Sequence, residues 1–239
     1  MKILAVDTST PSGSIAFMEK DRVVVEWTLH SATTHNRRLL KSVDQFLHEL
    51  QWTIDDIGGF CAATGPGSFT GLRIGLTTIK TLAWSLGKPF VGIPTLDALA
   101  APFAFSALPV FCAVNAHKKE LFCSVYQPDG RGAQSRLTPY RVVSPEAAAE
   151  LIKGPTVCCG DGWLLYRDFF IERLADFAVE APAPFHIIRA GFVADLARKS
   201  FIDGQTDDPV TSVPIYVRPS EAEINYPHLS KHLHEDSQK

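Results

Sequence analysis

The sequence predicts an α/β fold with two lobes, of which the second is reduced. Three strand-like segments stand at the start of the chain, and helical patterns then alternate with further strands. A second series of strand candidates begins near residue 109. With 239 residues and 46% hydrophobic content, the chain can form cores of this size. We expect the lobes at residues 1–105 and 106–227, followed by a polar tail at residues 228–239.

The first lobe begins with strand candidates at residues 3–6, 15–18 and 23–29. Residues 8–14 separate the first two and are rich in Ser, Thr, Pro and Gly, which favour turns. A helix is expected at residues 36–50, because its apolar side chains fall on a stripe about 120° wide at about 100° per residue. These side chains are Leu39, Leu40, Val43, Phe46, Leu47 and Leu50.

Two strands and one helix complete the first lobe. Residues 57–63 and 90–93 are apolar strand candidates, and residues 72–86 between them show a helical pattern. The order is therefore three strands, helix, strand, helix, strand. This is the order of a ribonuclease-H-like half of the actin-like ATPase (ASKHA) fold.

The second lobe repeats part of this pattern. Residues 109–113 and 120–126 are strand-like, and a short helix is expected at residues 144–153. A strand at residues 156–159 and a helix at residues 191–201 follow. The sequence thus indicates a weak internal duplication.

Composition and charge exclude several classes of protein. The net charge of −3 supplies no basic field that would attract nucleic acid. The five cysteines form no C-x-x-C pair, so we expect reduced thiols that act as small hydrophobic side chains. We expect no signal peptide, because Lys2 is followed by a short strand-like run ending in Asp7. Reduced cysteines are typical of a cytosolic protein, so a cytoplasmic location is expected. No apolar stretch approaches the roughly 20 residues of a membrane helix.

Residues 65–75 read GPGSFTGLRIG and join a strand to a helix. A helix that begins at such a turn exposes backbone N–H groups and favours an anion or an acidic side chain. The spacing excludes a Walker A phosphate loop, which needs four residues between its glycines and then Gly-Lys-Ser/Thr. It also excludes a nucleophile elbow, because Ser68 lacks the flanking glycines. We assign Gly65, Gly67, Ser68 and Gly71 to a signature turn, in which Gly67 and Gly71 provide a positive φ or a close backbone approach.

This glycine block resembles the signature of the TsaB (YeaZ) family. The resemblance extends to ILAVDTS at residues 3–9, GIPTLDAL at residues 92–99 and PIYVRPSEAE at residues 214–223. It covers the first lobe closely and residues 125–205 only weakly. The block GPGSFTGLRIG is specific, whereas Asp-Thr-Ser alone is a weak signal.

The resemblance implies a non-catalytic scaffold subunit of the bacterial machinery that makes threonylcarbamoyladenosine in tRNA. The modified adenosine lies just 3′ of the anticodon in tRNAs reading ANN codons. The implied partners are the transferase TsaD, which would transfer the group from threonylcarbamoyl-AMP, and the ATPase TsaE. We therefore expect tRNA to be reached through the complex, ATP to be handled by TsaE, and no cofactor in this chain.

The alternative is an enzyme: a small actin-like kinase or a metallopeptidase of the same superfamily. Asp7, Thr8 and Ser9 end the first strand, where actin-like kinases hold the metal and phosphates of a nucleotide. A plain turn is the favoured interpretation, because a complete nucleotide cleft needs a second full lobe. The peptidase requires an H-x-x-x-H pair about 40° apart on a helix, whereas the spacing of His30 and His35 gives about 140°. We therefore expect no metal site.

Several basic segments leave two interpretations open. The family typically shows Asp-Ala-Arg where residues 115–117 read Asn-Ala-His, so a β-turn with a solvated basic cluster is favoured over a charge-dependent role. A solvated face is likewise favoured for Arg37, Arg38 and Lys41, with contact to RNA or an acidic partner as the alternative. The histidines at positions 228, 232 and 234 are expected in an exposed tail.

Arg73 and the outer face of the second helix are the main candidates for partner contact. In the first helical turn, an exposed cation such as Arg73 opposes the helix dipole by about 0.3–1 kcal/mol. Two interpretations of Arg73 are open: the side chain is solvated, or it pairs with a carboxylate or phosphate of a partner. The outer face carries small and aromatic side chains, which suits helix packing on a partner, whereas burial under a later helix is the alternative. The resemblance implies that both helices of the first lobe pack against the partner. The predicted partner-binding residues are therefore Leu39, Leu40, Val43, Phe46, Leu47, Arg73, Ile74, Thr77, Thr81 and Trp84. The same surface should let the free chain form a homodimer.

Overall fold

A computed structural model describes residues 1–30 and 39–218, and two β-sheets form its framework. The first sheet has the strand order β3-β2-β1-β4-β5. Its strands are β1 (Lys2–Asp7), β2 (Ser12–Glu19), β3 (Arg22–His30), β4 (Gly59–Gly65) and β5 (Phe90–Pro94). The first three strands are antiparallel to one another, and β4 and β5 run parallel to β1.

The second sheet has the strand order β11-β10-β6-β7-β8, and β9 also pairs with β7. Its strands are β6 (Val110–Asn115), β7 (Leu121–Pro128), β8 (Gln134–Arg136), β9 (Arg141–Val143), β10 (Thr156–Cys159) and β11 (Ala178–Glu180). The central strand β6 is antiparallel to β7 and parallel to β10.

The two sheets repeat one arrangement. In each, a central strand has an antiparallel neighbour on one side and two parallel strands on the other, so β6 corresponds to β1 and β10 corresponds to β4. The internal duplication expected from the sequence is therefore visible in the strand order. The second copy is reduced, because β8, β9 and β11 have only three residues each.

Helices cover both outer faces of the pair of sheets and fill the space between them. α1 (Leu39–Glu49) and α2 (Phe69–Ser85) lie on the outer face of the first sheet. α3 (Thr95–Ala100) and α7 (Ala190–Ile202) lie between the sheets. α4 (Pro145–Ala149), α5 (Asp161–Leu165) and α6 (Arg167–Leu174) cover the outer face of the second sheet.

Strand β1 shows why the core has separate layers. Successive side chains of a strand point to opposite faces. Ile3 and Ala5 accordingly pack in the layer between the sheets, whereas Leu4 and Val6 pack beneath α1 and α2. Because both faces of β1 are covered, nearly the whole strand is buried.

The sequence predicted the longer elements and missed short ones. The elements α5, α6 and β11, all within residues 161–180, were not predicted, because three to eight residues carry too little periodicity. Their large side chains nonetheless fill the core, and the rings of Trp163 and Phe170 stack with centroids 5.0 Å apart. The predicted start of the first helix, at residues 36–38, and the polar tail lie outside the described residues.

All five cysteines are free and buried. The sulfur atoms of Cys112 and Cys159 lie 3.6 Å apart on neighbouring strands between the sheets. Burial raises the pKa of the Cys61 and Cys112 thiols and so disfavours the reactive thiolate. The thiols therefore act as small hydrophobic side chains, as expected from the sequence.

No helix formed within residues 1–30 and 39–218 is long and apolar enough to cross a membrane.

Candidate functional site

Ser68 begins helix α2. Its Oγ accepts a hydrogen bond from the backbone N–H of Gly71 at 3.2 Å, which is the arrangement of a helix N-cap. The Ser68 N–H donates to the carbonyl of Ser9 at 2.7 Å. The helix therefore begins at Phe69, and the predicted start at residue 72 is wrong, because this capping serine was not read as one.

The glycines of the signature turn let α2 approach the loop after β1 directly. A Cβ atom at Gly67 would collide with the Ser9 carbonyl, and one at Gly71 would collide with the Thr8 carbonyl. A positive φ occurs instead at Gly65, where β4 ends with φ at 110°. Close backbone approach is thus the role of Gly67 and Gly71, and conformational freedom is the role of Gly65.

Asp7, Thr8 and Ser9 are buried beneath α2 and hydrogen-bonded within the chain. Thr8 Oγ1 donates to the Gly71 carbonyl at 2.7 Å and accepts from the Gly75 N–H at 3.1 Å. The Ser9 hydroxyl and N–H both donate to Asp7 Oδ1, at 2.6 and 3.1 Å. These residues therefore hold the end of β1 to the start of α2.

The Asp7 carboxyl is electrostatically unusual. Burial raises its pKa to about 7, the hydrogen bonds from Ser9 lower it, and the nearby Asp161 carboxylate raises it further. Asp7 Oδ2 is buried and has no hydrogen-bond partner within the described chain. Asp161 has its own pKa raised by burial, and its Oδ1 accepts a hydrogen bond from the Asn115 N–H at 3.0 Å. The ionised form of Asp7 is therefore disfavoured by the fold.

We predict that Asp7→Asn stabilises the protein increasingly as pH rises. The pKa of Asp7 rises from the model-peptide value of 3.8 to about 7 on folding, so ionisation opposes folding between these two pH values. This unfavourable contribution grows through that window and is complete above it, at about 1.4 kcal/mol per unit of pKa shift. Melting temperatures of both proteins at pH 5 and pH 8 test this. A difference between variant and parent that is equal at both pH values would show that Asp7 ionises normally.

Asp161 is a site residue that the sequence analysis missed. It follows Gly160 at the end of β10, and Gly160 has φ at 107°, close to the φ of Gly65 at the end of the corresponding strand β4. The sequence Gly160-Asp161-Gly162 after a strand was the available signal. The equivalence of this segment to the signature turn is evident only from the strand order that the two sheets share.

Arg73 lies in the second turn of α2, because the helix begins at Phe69. The prediction that Arg73 lies in the first turn and opposes the helix dipole there is therefore wrong. The guanidinium lies 3.9 Å from the centre of the Phe69 ring, and its Nε donates to the Tyr216 hydroxyl at 3.4 Å. No carboxylate in the described part of the chain pairs with Arg73. The cation is held in place but remains exposed.

The closing segment of the described chain joins the two lobes. The Ile215 N–H donates to the Thr64 carbonyl at 2.7 Å, beside the signature turn. Arg218 forms an ion pair with Glu120 of the second lobe. Residues 219–223, which share in the family resemblance, lie outside the described residues.

A groove of about 640 Å³ lies between the signature turn, the β6–β7 turn and the closing segment. Its charged and aromatic lining residues are Phe69, Arg73, His117, Lys118, Phe122, Tyr216 and Arg218. In the β6–β7 turn, Asn115 Oδ1 accepts the His117 N–H at 2.8 Å, and residues 117–119 are exposed. The predicted turn is therefore present, and its basic side chains are exposed.

Most of the predicted partner-binding residues on α1 lie in the core of the chain. Leu39, Val43 and Leu47 are buried against the outer face of the first sheet, so they do not present a surface. Phe46 is half-buried and packs against the same core. Leu40 is exposed. The apolar stripe was correctly identified, but it serves the fold, because a surface helix turns its apolar side inward.

The predicted outer face of α2 is open. Thr77 and Thr81 are exposed, and Trp84 retains 65% of its accessible surface. Ile74 is half-buried at the edge of the same core. Burial of this face under a later helix does not occur in the described part of the chain. We call Thr77, Thr81 and Trp84 the α2 face.

The structure describes only some of the histidine and basic candidates. His30 Nδ1 lies 2.9 Å from the Ser12 hydroxyl at the edge of the first sheet. His35, Arg37 and Arg38, together with the histidines at 228, 232 and 234, lie outside the described residues. Within residues 1–30 and 39–218, no group of three or more His, Cys, Asp or Glu side chains could hold a metal ion.

The repeated strand order, with two helices between the sheets, defines a two-lobed α/β protein of the actin-like ATPase fold. A family model described as "TsaD: tRNA N6-adenosine threonylcarbamoyltransferase" matches residues 29–226. The chain belongs to the TsaB family: "tRNA threonylcarbamoyladenosine biosynthesis protein TsaB" of Escherichia coli (strain K12) is 30% identical over 226 residues, or 91% of this chain and 95% of that protein. The protein of the same name from Bacillus subtilis (strain 168) is 29% identical over 232 residues, or 95% and 98% of the two chains.

Solved structures from Pseudomonas aeruginosa agree with this assignment. "YeaZ from Pseudomonas aeruginosa" superimposes with a TM-score of 0.74 at 25% identity, covering 90% of this chain and 100% of that one. An "uncharacterized protein with similarity to peptidase YEAZ" gives a TM-score of 0.77 at 25% identity, covering 91% and 99%. Both lobes are therefore shared with YeaZ.

Proposed function

We propose that this chain is a non-catalytic scaffold subunit of the complex that forms threonylcarbamoyladenosine next to the anticodon in tRNAs reading ANN codons. It would pair with a TsaD-type transferase subunit. Membership of the TsaB family supports the pathway, since the curated relatives are named for threonylcarbamoyladenosine biosynthesis. The scaffold role rests on one structural observation, the open α2 face.

The α2 face has the character of a protein contact surface. A solvated helix face normally carries charged side chains, whereas this one carries two threonines and an exposed tryptophan. Exposed tryptophan is enriched at the energetic centres of interfaces. Small side chains beside it allow a partner helix to approach closely. Leu40 of α1, on the same side of the first sheet, is an exposed apolar residue that could extend the surface.

The non-catalytic assignment is supported by the state of the candidate nucleotide-binding residues. Asp7, Thr8 and Ser9 are buried, and Asp7 Oδ1 and the two hydroxyl groups are hydrogen-bonded within the chain. A nucleotide at this strand end would have to displace the start of α2. We therefore propose that this position binds no nucleotide, and that ATP is handled by a TsaE-type ATPase that joins the complex.

The wider assembly follows from these assignments. The free chain would form a homodimer through the α2 face, because two-fold pairing lets one surface meet its own copy. The transferase would replace that second copy in the complex. The chain would reach tRNA through the complex and act in the cytoplasm.

Mixing the purified chain with a TsaD-type protein should yield a heterodimer. Size-exclusion chromatography with light scattering measures the masses. The homodimer peak of the free chain should disappear as the partner is added, because both contacts use the same surface. Independent elution of the two proteins at micromolar concentration would contradict the proposed pairing.

The chain alone should show no turnover of ATP, peptide or threonylcarbamoyl-AMP with tRNA. Three separate assays test this, with Asp7→Asn as the matched variant in each. Any turnover that the variant loses would reveal an active site at the end of β1 and would overturn the non-catalytic assignment.

A further inference from the structure

The groove between the lobes is a second candidate for binding, separate from the α2 face. Its volume of about 640 Å³ is within the range of small-molecule sites, roughly 300–1,000 Å³. Thr77, Thr81 and Trp84 do not line it, and neither do the buried residues Asp7 and Thr8. It is therefore distinct from both the proposed protein contact and the end of β1.

The charge of the groove is one-sided. Arg73, Lys118 and Arg218 line it together with His117, and no Asp or Glu is among its described lining residues. The chain as a whole has a net charge of −3, so this local excess of cations is not a property of the general surface. Arg218 is paired with Glu120, but Arg73 has no carboxylate partner in the described chain. Arg73 is therefore the cation that the groove offers to an anion.

Arg73 is positioned before any ligand arrives. Its guanidinium is stacked on the Phe69 ring and hydrogen-bonded to the Tyr216 hydroxyl. The rings of Phe69 and Tyr216 are themselves in contact, with centroids 5.3 Å apart. Since a held guanidinium loses less side-chain entropy on binding, it is well suited to an oxyanion. The two rings supply an apolar wall beside it.

The opposite wall carries backbone strain. His117, Lys118 and Lys119 have φ of 59°, 51° and 61°, so three consecutive non-glycine residues occupy the left-handed region. Each costs on the order of 1 kcal/mol relative to the right-handed region, which glycine or asparagine would reduce. Of these three residues, His117 and Lys118 line the groove, so the strained turn forms the wall that faces the signature turn.

We propose that this groove binds a small organic anion, with a phosphate or carboxylate group held by Arg73 and an apolar or planar body against Phe69 and Tyr216. The inference goes beyond the proposed scaffold function. Binding of an anion in the groove requires no partner subunit. The anion site and the scaffold role can therefore each fail while the other stands.

Titration calorimetry of the full-length chain tests the proposal with three probes: phenyl phosphate, benzoate and inorganic phosphate. We expect saturable one-to-one binding of phenyl phosphate or benzoate with Kd on the order of 0.1 mM. The tighter of the two identifies the preferred oxyanion. Arg73→Gln and Tyr216→Ala should each weaken binding by about tenfold, because they remove the held cation and its support. Arg198→Gln removes a cation outside the groove and is the matched control.

Three results would overturn the proposal. The first is the absence of saturable binding of either aromatic probe at concentrations of about 10 mM, well above the expected Kd. The second is inorganic phosphate binding as tightly as the aromatic probes, which would indicate an adventitious ion only. The third is an equal effect of Arg73→Gln and Arg198→Gln, which would indicate unspecific charge attraction. Circular dichroism of each variant confirms that the comparison is between folded proteins.

Discussion

Replacing Trp84 with glutamate should abolish binding to a TsaD-type subunit and leave the monomer folded. Trp84 is 65% exposed, so the fold loses little when the side chain changes. In the complex the indole would be buried at the centre of the contact, and a carboxylate there would be desolvated without a partner. Loss of a tryptophan hot spot costs about 2 kcal/mol or more, or about a thirtyfold weaker Kd, before the added charge is counted. Thr81→Arg should have the same effect by blocking close approach.

Titration of each variant against the partner measures the loss, and circular dichroism reports folding. Phe105→Glu is the matched control, because Phe105 is an exposed aromatic residue outside α2. The homodimer of the free chain should dissociate in the same variants and persist in the control. Parental affinity in folded Trp84→Glu and Thr81→Arg would place the interface elsewhere and remove the physical basis of the scaffold assignment.

Gly71→Ala should destabilise the protein strongly although it adds only one methyl group. The added Cβ would collide with the Thr8 carbonyl, which is backbone in the loop after β1 and cannot rotate away. Relief requires a shift of α2 from the sheet, and overpacking of this kind costs about 1–3 kcal/mol, or more where backbone must move. Gly67→Val should act in the same way against the Ser9 carbonyl.

Gly154→Ala is the matched control for this substitution. A Cβ at Gly154 meets no atom within 4 Å, so the expected change in unfolding free energy is within about 0.5 kcal/mol. Urea denaturation of the three variants and the parent measures the differences. Because α2 carries the partner face, Gly71→Ala should also weaken partner binding. If Gly71→Ala is as stable as Gly154→Ala, the close approach of α2 to β1 is not a feature of the folded chain.

The succession of strands and long helices along the chain could be predicted because their signals are local. The apolar runs of β1 and β4 and the stripe of Leu39, Val43 and Leu47 each fall within one element. Short elements such as β11 and α5 carry too few residues for a period to be measured. Their positions depend on packing against the second sheet, and no local sequence pattern predicts that packing.

The site was predicted less completely, because its contacts join distant parts of the chain. Ser68 was inside the recognised block, yet its capping role depends on where the helix begins. The pairing of Arg73 with Tyr216 spans 143 positions, and no local pattern could indicate it. The α2 face, by contrast, could be identified from helical spacing, since small side chains and one tryptophan occupy a helix face where charges are usual. Its exposure could not, because the sequence also allowed burial under a later helix.

The limits of local patterns also explain why residues of α1 were assigned to a partner contact although the fold buries them. An apolar stripe on a helix indicates burial but does not say against what, and its nearest sheet is the first candidate. Leu39, Val43 and Leu47 face the sheet of their own chain. On α2 the apolar stripe that covers the sheet and the α2 face lie on different sides of the helix. Burial of the stripe therefore leaves the α2 face exposed.

The most direct test of the scaffold assignment is the formation of threonylcarbamoyladenosine on a tRNA reading ANN codons. A TsaD-type subunit, a TsaE-type ATPase and threonylcarbamoyl-AMP are held constant while this chain is titrated from zero. The scaffold role predicts that product formation requires the chain, saturates at one chain per transferase, and is lost with Trp84→Glu. Product formation that is unchanged in the absence of the chain, or that the chain supports without the transferase, would contradict it.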